Sequence, residues 1–195
     1  MSLIGKIGEK VKGFLGSGQK DELKILGTST SNDGQVIEIG YKTEQGGPLF
    51  GHKNTYYIVV DGQEKEIFIE DFEDTMLKLP KELDGAVEKA YDGVLKNTNA
   101  SCEGIHARYV QYNDIVKNGS DALIEMTLQS DRVFLDTVDN GENSDLINGK
   151  RAYLNGVCKR LYNAEYYYKL HMQNAKEKMA VWRDLRASEN GSQAE

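Results

Sequence analysis

The chain has 195 residues, of which 28% are charged, and its formal net charge at pH 7 is −7. An acidic chain of this kind is not typical of a dedicated nucleic-acid-binding protein, although it is compatible with a local basic arm. No stretch approaches the roughly 20 consecutive apolar residues of a transmembrane helix, so the sequence predicts no membrane span.

The charges are sorted along the chain. Residues 1–20 have a net charge of +3 and residues 150–186 a net charge of +6, whereas residues 21–149 have a net charge of −14. This pattern predicts that both ends face an anionic surface, which could belong to another protein, to a membrane or to the acidic middle of a second copy. We therefore divide the chain into four parts: an amphipathic arm (1–20), an acidic α+β domain (21–149), a long basic helix (150–188) and a flexible tail (189–195).

The N-terminal arm places its apolar residues at helical spacing, with lysines on the other side. The spacing predicts an amphipathic helix that lies in a groove of a protein partner or on a membrane surface. We favour the protein partner because glycines dilute the apolar stripe. The arm residues predicted to bind this partner are Leu3, Ile4, Ile7, Val11 and Phe14.

The arm also lacks the continuous apolar run of a secretory signal, because Lys and Gly recur every few residues. The two cysteines, Cys102 and Cys158, do not make a disulfide framework. We therefore expect a cytoplasmic protein that is not secreted.

Two β-hairpins are predicted in the first part of the acidic domain. Residues 23–30 and 35–42 flank a turn sequence rich in Asn, Asp and Gly. Residues 55–60 and 65–70 flank Asp61-Gly62, and this dipeptide supplies the positive φ angles of a tight turn.

A glycine-rich loop joins the two hairpins. Glycine loops can present backbone N–H groups to a phosphate, and a histidine and a lysine follow directly. No Gly-Lys-Ser/Thr ending accompanies the loop, so we interpret it as a connection and keep a small-ligand or enzyme site as the alternative. The residues of that alternative site are Gly46, Gly47, Gly51, His52 and Lys53.

Helical and strand patterns alternate in the rest of the acidic domain. Helices are predicted over residues 71–79 and 80–96, and a loop over 97–104. The remaining elements are three strand candidates and a polar connection, at residues 105–112, 123–128, 132–138 and 139–149.

Cys102, Glu103 and His106 form a short cluster in this region. Such a cluster could be half of a zinc site, or a thiol nucleophile with its base. No second Cys/His pair lies within motif distance, so we expect neither a metal nor a cofactor.

Residues 150–188 contain no proline and one glycine, and their apolar residues recur at three- and four-residue spacings. The pattern predicts one long helix, or two with a break, in which Glu165 interrupts the apolar stripe. Tyrosines interleaved with basic residues favour a protein-binding surface and are also compatible with nucleic-acid stacking. The residues predicted to bind a partner here are Arg160, Tyr162, Tyr166, Tyr167, Lys169, Trp182 and Arg183.

These elements predict an α+β fold, in which a small, mostly antiparallel sheet has packed helices, an N-terminal amphipathic helix and a long C-terminal helix. The predicted core residues are Ile37, Ile39, Ile58, Val60, Ile67, Ile69, Leu83, Val87, Val94, Ile124, Met126, Phe134, Leu161 and Met179.

The function predicted from these features is that of a non-enzymatic interaction or assembly protein. It would dock through its basic terminal helices on a protein partner or on further copies of itself, and a structural component of a virion or of another large complex fits this expectation. Two alternatives remain open: a ligand-binding module or enzyme with a site near residues 46–53, and a protein associated with a membrane surface or with nucleic acid.

Overall fold

A computed structural model describes residues 22–45, 52–73, 75–139 and 149–191 of the chain. The predicted N-terminal helix, the glycine loop up to Gly51 and most of the polar connection at 139–149 lie outside these residues.

The chain divides into two compact units. The helical unit contains residues 102–167, as far as they are described, and the sheet unit contains the described residues before 102 and after 167. This division differs from the one predicted from charge, because the long C-terminal helix is not a separate part. Its first portion belongs to the helical unit and its second portion to the sheet unit.

The sheet unit is built on four antiparallel strands in the order β1-β2-β3-β4. Neighbouring strands in this sheet are consecutive in the chain, so short connections suffice. Ile39 lies opposite Ile58 across β2 and β3, and both side chains are buried. The strands are β1 (Lys24–Thr30), β2 (Val36–Gln45), β3 (His52–Val60) and β4 (Gln63–Glu66).

The turn between β3 and β4 has the geometry that its sequence predicts. Asp61 has a φ of 48° and Gly62 a φ of 79°, which are the positive values that a two-residue hairpin turn of type I′ requires. The Asp61 carboxylate also accepts a hydrogen bond from the backbone N–H of Val36, at 3.0 Å. The turn is therefore fixed by backbone geometry and tied to β2.

Helix α1 (Asp84–Asn118) covers one face of the sheet with its first portion. The Asn97 side-chain amide donates to the carbonyl oxygen of Asn54 at 2.6 Å. Gly93 lies so close to Tyr56 that a Cβ atom at position 93 would be 2.1 Å from the tyrosine ring. A side chain at this position would therefore require the Tyr56 ring to move.

Short 3₁₀ helices connect β4 to α1, and the second portion of helix α4 (Lys150–Gly191) completes the sheet unit. The 3₁₀ helices are Ile69–Glu73, Met76–Lys78 and Lys81–Leu83. The buried apolar residues of this unit include Ile37, Ile39, Ile58, Ile67, Ile69, Phe72, Met76, Leu83, Val87, Ala90, Tyr91, Val94, Met172, Ala175, Met179 and Trp182.

The helical unit combines the second portion of α1 with α2 (Asp121–Ser130), α3 (Arg132–Asp139) and the first portion of α4. The Ser120 hydroxyl caps α2 by accepting a hydrogen bond from the Leu123 N–H at 3.2 Å. The Arg151 guanidinium donates to the carbonyl oxygens of Val116 and Gly119, where α1 ends. The core of this unit consists of Tyr112, Ile115, Ile124, Leu135, Leu154, Val157, Cys158 and Leu161.

The structure confirms the predicted fold class, the antiparallel sheet and the long C-terminal helix. It contradicts the predicted strands at 105–112, 123–128 and 132–138, which are helical. Tyr112 is buried in the core of the helical unit, and Ile105, Tyr109 and Val116 recur around it at helical spacing and pack, half-buried, against the edge of that core. The burial that decides the structure there follows the helical period and not the alternation of a strand.

Other predictions are corrected in detail. The predicted helix at 71–79 is two short 3₁₀ helices, and the predicted helix at 80–96 continues through the predicted loop to Asn118. Met126 is exposed rather than buried, because Ile124 and Thr127 are the inward-facing residues of helix α2. Val60 and Phe134 are half-buried.

Candidate functional site

The helical unit has an exposed surface that is rich in tyrosine and asparagine. Helices α1 and α4 run antiparallel there, since Tyr109 lies beside Tyr162 and Val116 beside Arg151. The outward residues of the two helices recur at helical spacing along their length. We call this surface the tyrosine face and define it as His106, Tyr109, Asn113, Asn155, Lys159, Tyr162, Asn163 and Tyr166.

Packing beneath the tyrosine face explains why its side chains remain outside. Leu154, Val157 and Leu161 on α4 face Tyr112 and the rest of the core, and each is almost completely buried. The residues between them in the helical period point away from that core. Tyr162 and Tyr166 are therefore 57% and 58% exposed, although tyrosine is a large and partly apolar residue.

Aromatic rings link the two helices of the face. The ring centroids of Tyr109 and Tyr162 are 5.8 Å apart with the planes tilted by 52°, and the His106 ring lies 6.5 Å from Tyr109. On α4, the rings of Tyr166 and Tyr167 meet edge to face at 5.7 Å. These distances are in the range in which aromatic pairs attract one another, so the rings hold each other in place.

A shallow open groove of about 370 Å³ lies in the tyrosine face. Its floor includes the buried side chain of Cys158, and burial raises the pKa of this thiol. A buried thiol with a raised pKa is a poor nucleophile, so Cys158 is ill suited to nucleophilic chemistry in the groove. Its lining is Tyr109, Asn113, Asn155, Cys158, Lys159, Tyr162 and Asn163.

His106 is anchored at the edge of the tyrosine face by a buried carboxylate. Its Nδ1 lies 3.0 and 3.1 Å from the two carboxylate oxygens of Glu165, and Glu165 is only 7% exposed. The residue that interrupts the apolar stripe of α4 therefore has a structural partner on α1. A buried carboxylate needs such a partner, because an unpaired charge is costly to bury.

The predicted cluster of Cys102, Glu103 and His106 is brought together only in part. Cys102 and His106 are one helical turn apart on α1, and both contact Glu165. The Cys102 Sγ lies 4.0 Å from the Glu165 backbone oxygen and the thiol is buried, whereas Glu103 is exposed. Across the described ranges, no group of three or more His, Cys, Asp and Glu side chains could hold a metal ion.

Two of the residues predicted to bind a partner are used inside the sheet unit. Trp182 is buried, and the Arg186 guanidinium lies 5.7 Å from its ring centroid. The Arg183 guanidinium donates to both carboxylate oxygens of Glu88, at 2.5 and 2.7 Å, and lies over the Tyr91 ring. Trp182 is therefore enclosed within its own unit, whereas Arg183 is paired but exposed, and binding of a partner by either residue stays a prediction.

The remaining predicted residues of α4 differ in exposure. Tyr162, Tyr166 and Tyr167 are exposed, as is Lys169, whereas Arg160 is half-buried. Of these, Tyr162 and Tyr166 belong to the tyrosine face. Binding of a partner by any of them stays a prediction.

The predicted ligand site at the glycine loop is described only at its end. His52 and Lys53 are the first residues of β3 and pair with Gln45 and Glu44 of β2. Gly46, Gly47 and Gly51 lie outside the described residues, so a site there stays a prediction.

Ion pairs inside each unit account for part of the sorted charge. In the helical unit Lys150 pairs with Glu125, and Arg151 pairs with Asp121 at 3.0 Å. In the sheet unit Arg183 pairs with Glu88, and Arg186 with Asp84 at 3.3 Å. These four cations of the basic C-terminal helix therefore meet the acidic stretch of their own chain.

His106, Tyr109 and Asn113 are the residues of the face on α1, and the sequence interpretation missed them as surface residues. They were assigned to or beside a strand, which would have pointed alternate side chains in opposite directions. The helical spacing of Ile105, Tyr109 and Tyr112 was the signal that could have placed them on a helix beside α4.

The chain matches no known protein family, and comparison with characterised proteins and with solved structures finds none that is similar. In the part of the chain that the structure describes, no helix combines the length and the apolar character needed to cross a membrane. The fold therefore defines the class, an α+β protein, and its helical unit has an exposed surface rich in tyrosine.

Proposed function

We propose that this chain is a non-enzymatic interaction protein that docks on a protein partner through the tyrosine face. The observation that supports the proposal most directly is the exposure of Tyr162 and Tyr166, which lie one turn apart on a rigid helix. Tyrosine is enriched at the energetic centres of protein interfaces, because it buries a large area and loses little side-chain entropy.

The buried packing beneath the tyrosine face suits docking on a protein partner. The α4 backbone is held by Leu154, Val157 and Leu161 in the core, so docking would order few main-chain dihedrals. Tyr109 packs on Tyr162 before any partner arrives. A preorganised surface of this kind binds more tightly than the same side chains on a mobile loop.

Self-assembly is one form of this docking. Tyrosine hydroxyls and asparagine amides both donate and accept hydrogen bonds, so a surface built from them can pair with a second copy of itself. Assembly into a larger complex, including a virion, would extend the same contact. We place this function in the cytoplasm, which agrees with two free, buried cysteines.

Two measurements test the proposal. Light scattering of the full chain, at low and moderate salt, compares the wild type with the Tyr162→Ser/Tyr166→Ser double variant. A mass that rises with concentration and returns to the monomer mass in the variant identifies a second copy as the partner.

If the wild type is a monomer, a photo-cross-linking phenylalanine analogue at position 162 is used in cells of the source organism. We expect an adduct of one discrete mass, lost when Tyr166→Ser is added. The matched control places the analogue at Phe68, an aromatic residue 48% exposed in the sheet unit. A monomer that also gives no adduct at 162 contradicts the proposal.

A further inference from the structure

The groove in the tyrosine face gathers polar side chains whose hydrogen-bonding capacity is unused. Asn113, Asn155 and Asn163 line it from two helices. Within the described residues, none of these amides makes a side-chain hydrogen bond, and Lys159 makes no ion pair. Side chains that gather in one groove without internal partners are available to a ligand.

Lys159 differs in this respect from other cations of the same helix. Lys150, Arg151, Arg183 and Arg186 each lie within 4.0 Å of a carboxylate of their own unit. Lys159 is exposed and lies in the groove, beside the amides. Its ammonium group can only donate hydrogen bonds, so it favours an anionic acceptor.

The composition of the groove lining also favours an anionic ligand. The chain contains 31 acidic residues against 24 basic ones, and none of the seven residues that line the groove is acidic. The rings of Tyr109 and Tyr162 border the polar part of the groove and offer apolar contact area. A ligand that fits this surface has a carboxylate next to an apolar or aromatic side chain.

We propose that the groove binds an acidic peptide segment of the protein partner, with a carboxylate of that segment at Lys159 and its apolar flank on Tyr109 and Tyr162. Asn155 and Asn163 donate hydrogen bonds to the segment's carboxylate or main-chain oxygens. This inference rests on the proposed function in one respect, that the partner is a protein. It adds the charge and the side-chain chemistry of the bound segment.

A library of short random peptides, displayed on phage and selected against the full chain, provides the probe. We expect the enriched sequences to carry a net negative charge next to an aromatic or aliphatic residue. Lys159→Glu should weaken binding of an enriched peptide by about tenfold or more, since it replaces an attraction by a repulsion. Lys159→Arg should retain most of the binding, and binding should weaken as the salt concentration rises.

Lys176→Glu is the matched control, because Lys176 is an exposed residue of the same helix outside the groove. It makes the same change in net charge and should leave the affinity nearly unchanged. Both variants replace exposed side chains, so their thermal unfolding should match that of the wild type.

The outcomes separate this inference from the proposed function. The proposal of an acidic segment is overturned if the enriched peptides are basic or neutral. It is also overturned if Lys176→Glu and Lys159→Glu weaken peptide binding equally. If such peptides still depend on Tyr162 and Tyr166, docking on the tyrosine face stands. A selection that enriches no sequence also overturns the inference, while the cross-linking measurement decides separately on the function.

Discussion

The two portions of helix α4 use the same kinds of residue in opposite ways. In the sheet unit, Arg183 and Arg186 fold back onto Glu88 and Asp84 of α1, and Trp182 is buried. In the helical unit, the outward side of the helix presents tyrosines, asparagines and Lys159 to solvent. One portion of the helix thus makes ion pairs and buried contacts within its unit, whereas the other portion presents an exposed surface.

This difference teaches how a sorted charge pattern should be interpreted. The basic C-terminal stretch predicted an anionic partner, and part of that partner is the acidic stretch of the same chain, including Asp121 and Glu125. A net charge along the sequence does not indicate which charges are already paired. The cations that remain without an ion pair inside their unit, such as Lys159, are the better indication of an external partner.

The largest expected effect compares two glycines of helix α1, one in each unit. Gly93→Ala should lower the free energy of unfolding by up to about 3 kcal/mol, because its new Cβ would overlap the Tyr56 ring. Gly104→Ala should raise it by about 0.5–1 kcal/mol, since its new Cβ would meet no atom within 4 Å beyond the adjacent helix backbone and alanine favours the helix. Urea denaturation measures both changes.

The single tryptophan, Trp182, lies buried in the sheet unit, so its fluorescence reports on that unit. Followed by this fluorescence, the unfolding transition of Gly93→Ala should therefore move to a lower urea concentration. Adding Tyr56→Ser should recover part of the loss, because it removes the ring that the new Cβ meets. If Gly93→Ala stabilises the protein as Gly104→Ala does, the Tyr56 ring is not held against position 93 of α1.

The sheet could be predicted from sequence because its signals are local. Asp61-Gly62 fixes the turn by backbone conformation, and the apolar alternation of Ile37 and Ile39 fixes which face is buried. The long C-terminal helix could also be predicted from the sequence, since it has no proline and its apolar spacing persists over many turns. These features do not depend on contacts with distant residues.

The continuation of α1 through residues 97–118 could not be predicted in the same way. Its middle contains Asn97, Asn99 and Gly104, which have low helix propensity and suggested a loop. Burial of Cys102 and Tyr112 on the inner side of the helix stabilises it, and that burial needs partners distant in sequence. Only part of the tyrosine face could be predicted from the sequence, because only its α4 residues lay on a predicted helix.

The next expected effect tests the core of the helical unit through pH. The Tyr112 hydroxyl is buried and donates to Asp131 at 2.7 Å, and burial, followed by this hydrogen bond, raises the pKa of Tyr112 above its ordinary value of about 10. The native state therefore holds this proton more tightly than the unfolded chain. Stability from this group is complete below about pH 10 and is lost as the pH rises further.

Tyr112→Phe should cost about 1 kcal/mol near neutral pH, through loss of the hydrogen bond. Its urea midpoint should then fall less than that of the wild type above about pH 10, so the two curves converge. Burial also raises the pKa values of Tyr57 and Tyr91, but both residues remain in the variant and their contributions cancel in the comparison. Curves that stay parallel would show that Tyr112 does not titrate at a higher pH in the native state.

The smallest expected effect concerns the ion pair between Arg183, in the second portion of α4, and Glu88 of α1. Arg183 donates two hydrogen bonds to Glu88, and this hydrogen bonding is the main cause that raises the pKa of Arg183. Their side chains are 47% and 33% exposed, so solvent screens the pair.

A double-mutant cycle with Arg183→Gln and Glu88→Gln should give a coupling free energy of about 0.5–1 kcal/mol, decreasing as salt is added. Lys176→Gln, on the same helix, should show no coupling to Glu88→Gln. A coupling of zero for Arg183 would mean that the carboxylates of α1 do not hold this portion of α4. Its cations would then be as available as Lys159, and the contrast between the two portions of the helix would disappear.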